Sequence, residues 1–324
     1  MTINTSINKR RLGRTGLMVT ELGMGGYMFT GEFRVAQSEA HAILDVAFDA
    51  GINYVDTAQM YGFGEGEELI GRALERHPGK EIHISTKVGY LDRTVARCFG
   101  PEAYNDKDAI RRAINHSLWI LRRDYVDIMY VHEPDNKEWW GDTLLTGKAA
   151  VLEVLEQLKS NGVIGAIGLG GWSCDSIADL LETGRFDAAL VAGGYTLVHQ
   201  PVKDRVIPAA KKHDVGLVMG GTFLQGALAT VQRETMLEIR RTGTYSGLWN
   251  EVTVPRILAI YDLCDENGMS ITEMAIRYIL SDDDIDVVIP GAQTVSHIQA
   301  NIEAALKGPL PADLVQHIDE ISRG

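Results

Sequence analysis

Four polar side chains in this 324-residue chain stand where apolar stretches end. Asp56 follows the residues NYV, and Tyr61 comes five positions later. Lys87 closes the stretch IHISTK, and His132 closes VDIMYVH. One ionisable residue at such a place is usually exposed to solvent or makes a hydrogen bond that only stabilises the fold. Four complementary ones favour general acid and base catalysis, which uses these residue types.

The four residue types suit proton transfer at a carbonyl or an alcohol. A lysine beside a carboxylate stays charged, and a cation near a tyrosine hydroxyl favours the phenolate and lowers the tyrosine pKa. Such a tyrosine can give or take a proton near neutral pH. An imidazole can donate to a substrate oxygen and orient it. Because none of the four is an evident nucleophile, the electron pair must come from a cofactor or pass to one.

The apolar stretches before these residues belong to a repeated pattern of short strands, each followed by a stretch with helical periodicity. This pattern is typical of successive βα units and a parallel sheet. The predicted strands are 21–24, 53–56, 82–87, 126–132, 164–168, 188–191, 216–219 and 287–289. The predicted helices are 38–50, 66–76, 106–121, 148–161, 174–183, 202–213, 254–267, 271–281 and 296–305.

Eight strands with helical crossovers favour a (β/α)8 TIM barrel over an open sheet, as a single α/β domain spanning residues 1–324. An N-terminal β-hairpin is predicted at 12–20, and a last amphipathic helix at 311–321 would lie across the outside or the bottom. The connections 89–104 and 229–252 exceed the usual length and are predicted to cover a ligand on the catalytic face. In such a barrel the carboxyl ends of the strands surround the active site.

Composition and charge exclude several classes of function. Acidic residues outnumber basic ones 44 to 31, and the net charge of −13 disfavours a nucleic-acid partner. No stretch of about 18 apolar residues predicts a membrane span, and no signal peptide is evident, so we expect a cytoplasmic protein. Cys98, Cys174 and Cys264 are widely spaced and fit reduced thiols better than disulfides.

Two common site motifs are missing from the sequence. GxGxxG fails after the second predicted strand, where Glu67 takes the place of the last glycine, and after the fifth, where Ser173 does. The nine histidines form neither HxH nor HExxH, which disfavours a metal-dependent hydrolase. We therefore expect neither a Rossmann site nor a metal site.

Longer motifs, in order along the chain, resemble a known family. They are LGRTGLMVTELGMGG, GINYVDTAQMYGFGEGEELIGRAL, ISTK, DYVDIMYVH, GVIGAIGLGGWS and VVIPGAQTVSHIQAN. Together they resemble the aldo-keto reductase superfamily over nearly the whole chain. The resemblance implies a barrel that binds a nicotinamide dinucleotide in extended form, with Tyr61 as general acid and base. It also implies that Lys87 and Asp56 tune Tyr61, and that His132 orients the carbonyl.

The resemblance further implies which residues bind the cofactor, with departures from the family pattern. Gly170 and Gly171 stand where Ser and Asn usually hold the nicotinamide amide, and Gly220 stands where an aromatic usually stacks. Trp172 and Tyr195 are candidates to replace them. The full predicted cofactor set is Gly25, Gly26, Tyr27, Asp56, Gly170, Gly171, Trp172, Ser173, Tyr195, Gly220, Gly221, Thr222, Leu224, Gly226, Gly291, Gln293, His297 and Asn301.

The stretch after the eighth strand favours NAD(H) over NADP(H). Family members that use the phosphorylated cofactor place Lys or Arg there against its 2′-phosphate, because a dianion needs charge-assisted donors. Here no Lys or Arg occurs between Asp282 and Ala305. Similar loops occur in NAD-using sugar dehydrogenases of the family, although most members prefer NADP(H), and a basic residue from a distant loop could substitute.

Five aromatic residues lie on predicted catalytic-face loops: Tyr27, Tyr90, Trp139, Trp140 and Trp249. They could form a pocket wall that stacks on a sugar ring or another flat substrate, or they could pack the loops.

The sequence thus predicts an oxidoreductase that transfers a hydride between a nicotinamide cofactor and an aldehyde, ketone or sugar. The alternative is a cofactor-sensing regulatory subunit that binds another protein, as some barrels of this family do. A lyase or hydrolase on the same barrel would need paired carboxylates at strand ends, which we do not find. The identity of the substrate, the direction of the reaction, and the choice between monomer and homo-oligomer stay open.

Overall fold

The computed structural model describes residues 6–30, 33, 35–91 and 101–323. Within these residues, an antiparallel pair is followed by a sheet of eight parallel strands. The strands are β1 (Lys9–Arg11), β2 (Met18–Thr20), β3 (Met24–Gly25), β4 (Tyr54–Asp56), β5 (His83–Val88), β6 (Val126–His132), β7 (Ile164–Gly171), β8 (Ala188–Ala192), β9 (Gly216–Gly220) and β10 (Val287–Val288). Neighbours pair in chain order from β3 to β10, and a parallel bridge between Leu22 and Val288 joins the two ends. The sheet closes, which confirms the predicted barrel.

The antiparallel pair β1–β2 lies across the amino-terminal end of the barrel. Gly13, in the turn between these strands, sits against the first residue of β9, and a Cβ there would lie 2.1 Å from the backbone nitrogen of Gly216. With φ at +45°, this turn position admits only glycine. Leu12 and Val19 are fully buried in the apolar cluster that fills the barrel. The predicted hairpin therefore exists, although it begins earlier, at Lys9.

Helices cover the outer side of the barrel. They are α1 (Gln37–Asp49), α2 (Glu65–Arg76), α3 (Lys107–Leu121), α4 (Lys137–Trp140), α5 (Thr143–Thr146), α6 (Ala150–Ser160), α7 (Cys174–Leu181), α8 (Val206–His213), α9 (Arg233–Thr242), α10 (Thr253–Asn267), α11 (Ile271–Leu280), α12 (Val295–Leu306) and α13 (Ala312–Arg323). In α1 the buried residues include Ala40, Ile43, Leu44 and Ala47, the spacing that places one apolar stripe against a sheet. Among the described residues, no helix has the length and apolarity that crossing a bilayer requires.

Three of the described helices, α4, α5 and α9, were not predicted from the sequence. They lie in the connections after β6 and β9, on the side of the carboxyl ends of the strands. In α9 Met236 is buried and Ile239 packs against the core, so its apolar face is only one turn long within a largely charged segment. Of the predicted connection 89–104, residues 92–100 lie outside the described residues, and Cys98 lies there too.

Side chains along the barrel strands alternate between its interior and the helices. Tyr54 belongs to the cluster inside the barrel, whereas the next residue, Val55, packs in the cluster formed with the helices. Two residues after Tyr54, Asp56 therefore points inward again at the end of β4. Lys87 and His132 also face inward near the ends of β5 and β6, each two residues beyond the partner of the residue before it, since Asp56 pairs with Ser85 and Lys87 with Tyr130. The alternation brings three of the four predicted catalytic side chains to one end of the barrel.

Candidate active site

The ammonium group of Lys87 lies at the centre of the site. Within the described residues its Nζ donates to three oxygens: a carboxylate oxygen of Asp56, the backbone oxygen of Thr57 at 2.8 Å, and the hydroxyl of Tyr61 at 3.2 Å. An ammonium carries three N–H donors, so each donor has one acceptor. Nζ also lies 4.8 Å from the centre of the Tyr61 ring. The hydrogen bonds hold the side chain in one orientation.

Asp56 and Lys87 form an ion pair almost out of contact with solvent, each residue being 2% exposed. Burial raises the pKa of the Asp56 carboxyl, against the opposing effects of Lys87 and of the Ser85 hydroxyl, which donates to Asp56 Oδ2 at 2.8 Å. Burial alone would lower the pKa of Lys87, but the charges of Asp56 and Tyr61 and their hydrogen bonds raise it overall. Lys87 is therefore a cation across the physiological range.

Tyr61 reaches this pair from the loop after β4. The chain turns from Tyr61 into α2 through three successive left-handed residues, Gly62, Phe63 and Gly64, with φ of 62°, 54° and 95°. Burial raises the pKa of the Tyr61 hydroxyl, and the opposing effect of Lys87 is smaller. Lys87 does lower the pKa of Tyr61, as expected, but burial raises it by more, so the pKa lies above the ordinary value. In the structure Tyr61 is a neutral phenol at neutral pH.

His132 ends β6 beside Tyr61, with the two ring centres 6.2 Å apart and the planes at 84°. The residue is 6% exposed, and burial together with Lys87 holds the pKa of its imidazole well below the ordinary value. The indole nitrogen of Trp140 donates to the His132 backbone oxygen at 3.0 Å. His132 is therefore a neutral imidazole on a backbone that α4 holds in place, and one ring nitrogen carries a proton to donate.

Aromatic rings line the site on both sides of Tyr61 and His132. The Tyr27 ring lies 4.9 Å from that of Tyr61, and Tyr90 lies 5.1 Å from His132. Trp139 then contacts Tyr90, with ring centres 4.4 Å apart. The structure thus places three of the five predicted pocket aromatics around the site, Tyr27 beside Tyr61, and Tyr90 with Trp139 beside His132.

The other two predicted pocket aromatics take different places. Trp140 is buried, and its ring contacts Tyr104. The indole nitrogen of Trp249 donates to the Leu224 backbone oxygen at 3.1 Å, in the connection after β9. Tyr104 was not predicted, yet it stacks on Trp139 with planes 6° apart. The sequence signal for it was its place at the end of a long catalytic-face connection.

Several predicted cofactor residues, at strand ends and in α12, have small side chains or polar atoms without partners. A Cβ on Gly170 would contact the Cδ and Cε atoms of Lys87 at 3.5 Å, so the glycine leaves the space beside the Lys87 side chain unfilled. Thr222 and Asn301 are buried, and Thr222 Oγ1 and Asn301 Nδ2 have no hydrogen-bond partner among the described residues. Buried polar atoms normally have a hydrogen-bond partner, so these two atoms are open to a water molecule or a ligand.

Most of the remaining predicted cofactor residues are glycines at strand ends or in the loops that follow them, together with Leu224, Gln293 and His297. Leu224 has a left-handed φ of 47°, and a Cβ on Gly291 would lie 2.8 Å from Met28. Gln293 and His297 are exposed at the start of α12. The others at strand ends or in the loops that follow are Gly25, Gly26, Gly171, Gly220, Gly221 and Gly226.

Three predicted cofactor residues have partners that differ from the expectation. The hydroxyl of Tyr195 donates to Asp282 at 2.7 Å, and its ring packs on Tyr278 of α11, outside the barrel. The side chain of Ser173 caps α7 by accepting from the Ser176 amide. Trp172 is 51% exposed and hydrogen-bonds to the Glu133 carboxyl. Of the three, Trp172 alone is free to meet a ligand with most of its ring.

Comparison with known proteins decides what this barrel is. The model of the aldo/keto reductase family matches residues 21–323. The chain belongs to the aldo/keto reductase family. As a family member it is an NAD(P)-dependent oxidoreductase that acts on CH–OH or C=O groups.

Similar proteins of this family span the full chain. The sequence is 31% identical to D-threo-aldose 1-dehydrogenase of Pseudomonas sp, over 94% of each chain. It is 30% identical to pyridoxal 4-dehydrogenase of Microbacterium luteolum, over 91% of this chain and 92% of that one. Among solved structures, an aldo-keto reductase of Bacillus halodurans in its holo form superposes with a TM-score of 0.76 at 25% identity, covering 97% and 96% of the two chains. These likenesses confirm the predicted family and its barrel.

Proposed function

We propose that this aldo/keto reductase transfers a hydride between a nicotinamide cofactor and the carbonyl carbon of an aldehyde, ketone or sugar. The observation that carries the proposal is the contact of one buried ammonium, Lys87, with both the Asp56 carboxylate and the Tyr61 hydroxyl. A structural ion pair would need only the first contact. The second places a titratable phenol beside a fixed positive charge, at the end of the barrel where strand ends form active sites.

Tyr61 is the proposed general acid and base. Because Lys87 donates to the Tyr61 oxygen, the proton of that hydroxyl is free to point at a substrate oxygen. In reduction Tyr61 gives this proton to the carbonyl oxygen as the carbon receives the hydride, and in oxidation it takes the proton from the alcohol. The phenolate left after reduction faces the Lys87 charge, which stabilises it. When bound, the nicotinamide supplies or accepts the hydride.

His132 is proposed to orient the substrate. A neutral imidazole that donates to the substrate oxygen would fix the carbonyl between itself and Tyr61. A charged imidazole would compete with Tyr61 as the acid, and burial beside Lys87 opposes that state. His132 therefore orients the substrate oxygen, and Tyr61 transfers the proton.

Residues after β9 and in α12 fit a nicotinamide dinucleotide. Thr222 and Asn301 offer buried polar atoms without protein partners, and Gly220 leaves the end of β9 without a side chain. At the start of α12, the Val295 amide donates to the Glu39 carboxylate at 2.8 Å. An acid already occupies this helix N-terminus, where an additional phosphate would otherwise be favoured. Together with the absence of Lys and Arg from 282–305, this supports NAD(H) as the cofactor.

The aromatic residues around the site support a flat or cyclic substrate. Tyr27, Tyr90 and Trp139 present ring faces and edges beside Tyr61 and His132, an arrangement suited to stacking on a sugar or another hydroxylated ring. The relatives described above are named as dehydrogenases of an aldose and of pyridoxal. We therefore infer oxidation of a sugar or a similar cyclic alcohol as the preferred reaction.

Replacing Tyr61 by Phe tests the proposal. We expect Tyr61→Phe to lower turnover of a panel of aldoses, aldehydes and alcohols by at least about 10²-fold, the usual contribution of a general acid. Binding of NADH, followed by protein fluorescence, should change little. Tyr125→Phe is the matched control, because Tyr125 precedes β6 at the opposite end of the barrel. Unchanged turnover in Tyr61→Phe would contradict the assignment. Cofactor binding without turnover of any substrate in the native protein would favour the regulatory alternative.

A further inference from the structure

A chain of hydroxyl groups lies inside the barrel beneath the Asp56–Lys87 pair. Ser85 Oγ donates to Asp56 Oδ2 at 2.8 Å, and the Tyr54 hydroxyl donates to Ser85 Oγ at 2.9 Å. The hydroxyls of Tyr54 and Tyr130 are 3.0 Å apart. Ser85, Tyr54 and Tyr130 are each 0% exposed, so no solvent competes for these bonds.

The direction of the chain follows from counting protons. The Asp56 carboxylate accepts only, so the single Ser85 proton is committed to it. The Tyr54 proton is then committed to Ser85, and the bond between the tyrosines has to be donated by Tyr130. Every hydroxyl therefore points toward the carboxylate. In a medium of low polarity, hydrogen bonds that point the same way polarise one another and strengthen the last bond, the one to the charge.

The surrounding strands are built around these rings. A Cβ on Gly168, the residue paired with Tyr130 on β7, would lie 2.4 Å from the Tyr130 ring. A Cβ on Gly23 would lie 3.0 Å from the Tyr54 ring. Their neighbours inside the barrel are aliphatic, such as Ile128. Phenylalanine would fill the same volume there without hydroxyls to satisfy, so packing alone does not account for the two tyrosines.

We propose that Ser85, Tyr54 and Tyr130 are positioning residues, whose hydroxyl chain holds the Asp56 carboxylate so that Lys87 keeps one N–H on Tyr61. The inference rests on the proposed function of Tyr61. Without a donor on Oδ2, the carboxylate would turn further to Lys87, and the ammonium would donate less to Tyr61. The phenolate of Tyr61 would then lose part of its stabilisation.

The charged groups near the chain are few. Tyr61 faces Lys87, Asp56, the Tyr27 hydroxyl and the neutral imidazole of His132. The charge of Asp127 raises the pKa of Tyr54, and that of Asp286 raises the pKa of Tyr130; both acids lie toward the amino-terminal end of the barrel. These two acids remain in every variant below, so a change in Tyr61 reports on the hydroxyl chain.

The test follows Tyr61 itself, by NMR of the ligand-free protein with tyrosine isotopically labelled at Cζ. Tyr61→Phe assigns the signal by its loss. We expect Ser85→Ala to move the Tyr61 titration midpoint upward by up to about half a unit, because the lost hydrogen bond, worth about one unit at the Asp56 charge, reaches Tyr61 only through Lys87. Tyr54→Phe should move it upward less, and Tyr130→Phe least, because each lies one bond further from the carboxylate. Tyr54→Phe and Tyr130→Phe keep the volume of the rings, so these two variants carry the test if Ser85→Ala does not fold.

Tyr278→Phe is the control, because it removes a buried tyrosine hydroxyl that bonds Asp319 outside the barrel. It should leave the Tyr61 midpoint unchanged. An unmoved midpoint in both Tyr54→Phe and Tyr130→Phe overturns the inference, as does an equal movement in the control. The result is separable from the proposed function, since turnover retained in Tyr61→Phe would refute the role of Tyr61 whatever the midpoints show.

Discussion

The ammonium nitrogen of Lys87 lies 3.2 Å from the hydroxyl oxygen of Tyr61 and donates to it. The bond has two consequences. It commits a lone pair of the phenol oxygen to the cation, so the hydroxyl proton is left for another acceptor. It also makes the orientation of Tyr61 depend on Asp56, which holds the same nitrogen from the other side.

Removing the Lys87 charge should destabilise the fold as well as stop the reaction. Lys87→Met leaves the buried Asp56 carboxylate without its partner, which costs about 3–5 kcal/mol in comparable buried pairs. Urea unfolding measures the loss. The double variant Asp56→Asn with Lys87→Met should recover part of the stability but none of the turnover. Equal stabilities of the native protein and Lys87→Met would contradict the burial of an ionised pair.

The two directions of the reaction should respond oppositely to pH. Burial raises the pKa of Tyr61, so the acid form persists through neutral pH and is lost only as pH rises through that value. Reduction needs the acid form and should be sustained at neutral pH and fall toward alkaline pH. Oxidation needs the base form and should rise over the same range. Initial rates of both directions across this range measure the effect, and parallel profiles would argue against Tyr61 as the shared acid and base.

Cofactor preference should follow the charge at the start of α12. We expect the protein to bind NADH more tightly than NADPH, since Glu39 and the absence of basic residues disfavour a 2′-phosphate there. Gln293→Arg adds a charge-assisted donor and should strengthen NADPH binding by roughly 10-fold or more. Gln299→Arg places the same charge six positions later, within α12, and serves as the control. Fluorescence titration with both cofactors gives the ratio, and tighter binding of NADPH by the native protein would contradict the prediction.

Ionisation of the buried Glu67 carboxyl should lower the free energy of unfolding as pH rises. Its carboxyl is fully buried and accepts from the Thr86 hydroxyl at 2.6 Å. Burial raises its pKa from 4.5 to about 7. Between these values the folded state holds a proton that the unfolded state has released, so about 3 kcal/mol is lost on going from about pH 4.5 to above pH 7.

Glu67→Gln removes this titration. Urea unfolding of both proteins at about pH 5 and about pH 8 should show a smaller fall in the variant. The burial of Glu133, which also raises its pKa to about 7, acts in both proteins and cancels in the comparison. An identical fall in the two proteins would show that Glu67 titrates normally.

Much of the barrel could be predicted because its signals are local. The period-two alternation of Tyr54, Val55 and Asp56 shows which side chains share the inner face of β4, and the helical stripe of α1 shows which residues face the sheet. The helix α9 escaped prediction because its apolar face, Met236 and Ile239, spans only one turn of a largely charged segment. Tyr195 was placed at the cofactor from its position after a strand, yet its hydroxyl bonds Asp282, 87 residues away in sequence.

By itself, the sequence determined the family, the order of the barrel strands and of the helices that cover them, and which polar residues end the strands, because these depend on residue type and short spacing. The tertiary structure alone decided the partners of those residues. Whether Lys87 reaches Tyr61, whether burial outweighs its charge in setting the Tyr61 pKa, and whether three hydroxyls align beneath Asp56 all depend on distances between separate strands. Electrostatic interactions and hydrogen bonds act through space, and closure of the barrel sets the distances over which they act.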